Sequence, residues 1–93
     1  MKSVQIEDRL LATHISNNAD FEQACVSGNA KRIMEIVNSE MAKNNLHTKG
    51  SEKLKADIFR MTRGQQQVSS DVGTRIMYFV WNSRLSGIGL AVC

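Results

Sequence analysis

The chain has 93 residues, of which 42% are hydrophobic and 23% charged, with a net charge of +3, no proline and two cysteines. That length suits one domain, residues 1–93, with a single modest core, and the balance excludes a disordered polyelectrolyte. Cys25 and Cys93 are too few for a disulfide framework, the N-terminus lacks the apolar centre of a signal peptide, and the longest apolar run, Ile76 to Trp81, has six residues against the roughly 20 that span a bilayer, so a cytoplasmic setting without a membrane partner is expected.

Absent proline and five methionines favour helices. Ser3 is placed to cap a first helix with Val4, Leu11 and Ile15 on one face and Ile6 and Leu10 beside them, ending near Asn17 and Asn18. Asn18 or Asp20 opens a short helix, Phe21 to Val26, stopped at Ser27-Gly28, where glycine takes the left-handed conformation that closes a helix. Asn29 caps the clearest helix, residues 30 to 45, since Ile33, Ile36, Val37 and Met41 recur at spacings of three and four; Lys31, Glu35, Asn38 and Glu40 fall away from that stripe.

After a polar turn, Ser51 caps a fourth helix with Leu54, Ile58 and Met61 on its apolar face and Gly64 at its end. The last segment is ambiguous, because Ile76-Met-Tyr-Phe-Val-Trp81 has high strand propensity and no visible period. With Ser70 or Asp71 as cap, Val72, Ile76, Phe79, Val80 and Ser83 as one face and Gly87 as stop, a helix over 71–86 is the favoured assignment. The alternative is a hairpin over 76–92. The fold class expected is therefore mostly α, a bundle of four to five short helices, with an α+β fold as the alternative.

No motif announces catalysis or a cofactor: metal-ligand pairs, nucleophile elbows and phosphate loops are missing. His14 and His47 lie 33 residues apart and read as a half-buried helix residue and a solvated turn residue rather than metal ligands. Cys25, beside Ala24 and Val26, reads as a small buried hydrophobe. Glu7 and Asp8 point about 100° apart on a helix and form no carboxylate pair. Gly87-Ile-Gly89 lacks the third glycine of a dinucleotide loop. The expectation is a protein that is not an enzyme, with no cofactor and no metal.

Two binding surfaces remain. In a helix over 71–86, Met77, Tyr78, Trp81 and Leu85 cover the side opposite the core stripe, so either this helix is wrapped by the others or a partner covers it. Those four residues are the candidate protein interface, for a protein partner or for a homo-oligomer. The second surface is basic: Lys43 to Arg63 holds six basic residues against Glu52 and Asp57, extended by Arg75 and Arg84. Lys49, Lys53, Lys55, Arg60 and Arg63 are the candidate phosphate contacts of a nucleic-acid alternative. Residues 21–37 add a weak helix-turn-helix pattern that would bring Lys31 and Arg32 to a groove. The favoured function is a non-enzymatic binding module, a small accessory regulator or inhibitor.

Overall fold

The computed structural model describes the backbone of residues 6–92 and the side chains of residues 9–84. The fold is mostly α: α1 (Ile6–Ser16), α2 (Phe21–Val26), α3 (Ala30–Lys43), α4 (Lys49–Thr62) and α5 (Ser70–Val92). Among the described residues there is no strand, which overturns the hairpin alternative over 76–92. Neither is any described helix long and apolar enough to cross a membrane.

The core is built from the stripes. Leu11, Ala12 and Ile15 of α1, Phe21, Ala24 and Cys25 of α2, Ile33, Ile36, Val37 and Met41 of α3, and Leu54 and Ile58 of α4 are all buried together with Ile76, Met77 and Val80 of α5. α5 packs most extensively on α1 and α2 and touches α4. Strand propensity loses in this segment because Gly73, Ile76, Met77 and Val80 recur at spacings of three and four, a helical stripe that a period of two would scatter over both faces. The buried stripe is turned from the expected one, with Val72 and Phe79 half-buried at its margins. Gly87 does not stop the helix, which runs through it to Val92, and the expected cap at Ser70 or Asp71 is replaced by Ser69, whose hydroxyl accepts from the Val72 N–H at 3.2 Å.

Other helix ends follow local chemistry. Gly28 closes α2 at φ +70°, and Asn29 caps α3 by accepting from the Arg32 N–H at 3.1 Å. α4 begins earlier than the Ser51 cap would place it. Thr48 caps it, its hydroxyl accepting from the Ser51 N–H at 3.3 Å, and Ser51 is buried. The Ser3 cap and Val4 lie outside the described residues.

Glu40 corrects the α3 stripe. It is 5% exposed, and its carboxylate accepts from the Asn18 amide at 2.8 Å, the Asn44 amide at 3.2 Å and the Lys43 ammonium at 3.3 Å. Burial pushes its carboxyl up, but the hydrogen bonds from Asn18 and Lys43, the Lys43 charge and the Asn44 bond together outweigh it, and the group sits below its ordinary value. A carboxyl lower in the folded chain than in the unfolded one gives stability that is present above the unfolded value and lost as pH falls through the folded one. Glu40→Gln is therefore expected to cost about 1 kcal/mol at neutral pH. Its melting temperature should also fall less steeply than the parent's below about pH 4.3, as thermal unfolding followed by circular dichroism would register.

Candidate functional site

The sequence-predicted protein interface divides. Met77 is buried in the core at 6% exposure, so it belongs to the packing stripe and not to the surface. Tyr78, one position on, is 53% exposed and meets half-buried Trp81 edge to face, with ring centroids 5.3 Å apart and planes at 88°. The side chain of Leu85 lies outside the described residues. The exposed face of α5 thus reads Asp71, Arg75, Tyr78 and Asn82, at helical spacing. α1, α2 and α4 pack against one side of α5, and Tyr78 on the other side is exposed. Leu10, Val26 and Phe59 are further exposed apolar side chains.

The basic surface is thinner than its sequence suggests. Arg32 is bound to Asp20 at 2.6 Å and to Glu35 at 3.5 Å, and these contacts, led by the Asp20 hydrogen bond, hold its guanidinium above its ordinary value. Asp57 accepts from Lys53 at 3.3 Å and also from Arg60. Among the described residues, Lys31, Lys49, Lys55 and Arg63 carry no ion pair, and neither does Arg75.

The helix-turn-helix pattern meets a physical obstacle. The connection from α4 to α5 lies across the α2–α3 turn: the Lys31 N–H donates to the Gln66 carbonyl at 3.0 Å, the Val68 N–H to the Gly28 carbonyl at 2.8 Å, and the Gln67 amide to the Ser27 carbonyl at 2.8 Å. The amino end of α3, which would have to face the groove, is occupied by the chain's own backbone. The strap is thus held by the Gln66 carbonyl, the Gln67 side-chain amide and the Val68 N–H.

The strap also bounds a cleft that local sequence reasoning missed. Arg60 and Met61 at the end of α4, Arg63 and Val68 in the connection, and Val72 and Arg75 in α5 line a concavity of about 480 Å³. Its signal was present only as spacing across three segments, with Arg75 read as an extension of the basic region. A second, smaller and mainly apolar hollow of about 210 Å³ lies between Met34 of α3 and Lys55, Ala56 and Phe59 of α4.

The remaining candidates are dispersed among the described residues. Cys25 is fully buried, and burial together with the nearby Glu22 charge pushes its thiol up to about 12, so it stays protonated and inert in the folded chain. Cys93 lies outside the described residues. His14 is half-buried on α1 and His47 exposed in the turn before α4, and among the described residues no three His, Cys, Asp or Glu side chains come together as ligands. Compared with protein-family models, curated protein sequences and solved structures, the chain shows no match.

Proposed function

We propose that the chain is a non-enzymatic binding module that works by protein contact through the open face of α5, with a second copy of itself as the simplest partner. A small accessory regulator or inhibitor is the role such a module would fill. The observation that carries this reading is the Tyr78–Trp81 pair, a half-exposed ring held edge-on by its neighbour on a helix whose other side is packed. Aromatic side chains with few rotatable bonds provide contact area at little entropic cost, which is why they dominate the energetic centres of interfaces. An isologous pairing of two α5 faces would cover both rings at once.

Trp81 is the single tryptophan, so its emission reports on this face directly. The expected result is a light-scattering mass that rises from 10.4 kDa toward twice that value with concentration, accompanied by a blue shift of Trp81 emission. Tyr78→Ala should hold the mass at the monomer value while leaving the melting temperature nearly unchanged, since the ring is half in solvent. A parent protein that stays monomeric up to about 1 mM, where an association worth about 4 kcal/mol would register, would overturn the reading.

The nucleic-acid alternative rests on a different observation, that Lys49, Lys55 and Arg63 carry no ion pair among the described residues. Lys53, Arg60 and Arg32 contribute less to it because carboxylates already hold them. Phosphate contacts of this kind predict binding that weakens steeply with salt and is lost when Lys49 and Lys55 are changed to Glu. A mobility shift unaffected by both salt and those substitutions would remove this alternative.

A further inference from the structure

The cleft at the junction of α4 and α5 is lined by three arginines from three separate segments, Arg60 from α4, Arg63 from the connection and Arg75 from the second turn of α5. Arg60 already has Asp57, but Arg63 and Arg75 have no ion-pair partner among the described residues, even though Asp71 stands four residues before Arg75 on the same helix. The volume of about 480 Å³ falls within the roughly 300–1,000 Å³ of small-molecule sites.

The remaining lining is mixed, with Thr62, Gln65 and Ser69 as its polar members. Met61, Val68 and Val72 are half-buried and give the cleft an apolar wall beside its charged one. The frame is fixed by hydrogen bonds within the turn, from the Gln65 N–H to the Thr62 carbonyl at 3.0 Å and from the Gly64 N–H to the Thr62 hydroxyl at 3.2 Å, and by the strap bond from Val68 to Gly28. Two free planar forks match the geometry and the two charges of a phosphate monoester better than the single charge of a carboxylate. The apolar wall matches the ring or chain that the ester carries.

We infer that this cleft binds a small phosphate-bearing organic anion of nucleotide size, its phosphate held by Arg63 and Arg75 and its apolar body seated on Met61, Val68 and Val72. The site borders the Tyr78–Trp81 contact, since Arg75 lies one turn before Tyr78 on the exposed face of α5.

The test is titration of the full chain with adenosine monophosphate, with inorganic phosphate and with a single-stranded oligonucleotide lacking terminal phosphates, followed by calorimetry and by amide and methyl NMR shifts. Adenosine monophosphate should saturate, bind more tightly than inorganic phosphate, and move the signals of Val68 and Val72. Arg63→Gln and Arg75→Gln should each weaken it about tenfold, the change expected for one charge-assisted contact. Arg9→Gln, outside the cleft, should leave it unchanged. Because both arginines are exposed, these variants are expected to fold, and their circular dichroism checks this. The inference is overturned if adenosine monophosphate fails to saturate, if the arginine variants bind it as the parent does, or if only the oligonucleotide binds.

Discussion

Gly73→Ala is expected to cost about 3 kcal/mol of stability or more, enough to lower the melting temperature by over ~10 °C in a domain of this size. The position is inside α5, where alanine would ordinarily be the better residue by about 1 kcal/mol, so the helix alone predicts the opposite sign. What decides the sign is the close approach of α2 to α5. A Cβ built on Gly73 falls 1.9 Å from the carbonyl oxygen of Cys25 and 2.9 Å from its carbonyl carbon, and both are backbone atoms. Backbone has no rotamer with which to yield, so the substitution must push the helices apart and unpack Ile76 and Met77 from Ala24 and Cys25. Thermal unfolding of the single variant settles the matter: a melting temperature equal to or above the parent's would mean that α2 and α5 do not meet at Gly73.

Gly28→Ala comes next, at about 3 kcal/mol, and its two causes can be separated by experiment. Gly28 has φ +70°, a left-handed conformation that costs an alanine about 1–2 kcal/mol. Its Cβ would also fall 2.0 Å from the Val68 carbonyl oxygen, in the strap that crosses the α2–α3 turn. Gly64 is the comparison: its φ is +72°, but its added Cβ meets only the tip of the Phe59 ring at 3.2 Å, and that ring is 53% exposed and can swing away. Gly64→Ala should therefore show the conformational cost alone. Equal losses at the two positions would mean that the strap contributes nothing at Gly28.

Where a helix begins and which residues face inward were legible wherever the signal was local. The short helix Phe21–Val26, its glycine stop and the Asn29 cap follow from neighbouring residues only, and the structure has each of them. The departures arise where distant chain intervenes. Glu40 was placed away from the buried stripe because its main partner, Asn18, lies 22 residues away, on the turn between α1 and α2. Thr48 and Ser51 are both competent caps, and the choice fell to Thr48 because Ser51 is buried one turn into α4. Met77 and Tyr78 are adjacent and both large; only the register set by Gly73 against Cys25 turns the first inward and the second outward. Gly87 carries no turn information when the helix around it continues. For the cleft, Arg60 and Arg63 were flagged, but Arg75 joins them only through the fold.

The strap from Gln66 to Val68 has a consequence for the integrity of the molecule when the chain is broken. It ties residues 27–31 to residues 66–68, and every bond it makes spans the turn at 44–48 that joins α3 to α4. A protease cut in that turn would divide the chain into one piece carrying α1, α2 and α3 and another carrying α4 and α5. The two pieces would still share the α1–α5 and α2–α5 packing and the strap. The nicked protein is thus expected to elute from a sizing column at the position of the intact one and to separate only in denaturant; release of either piece under native conditions would show that covalent continuity, rather than the strap and the helix packing, keeps the two halves together.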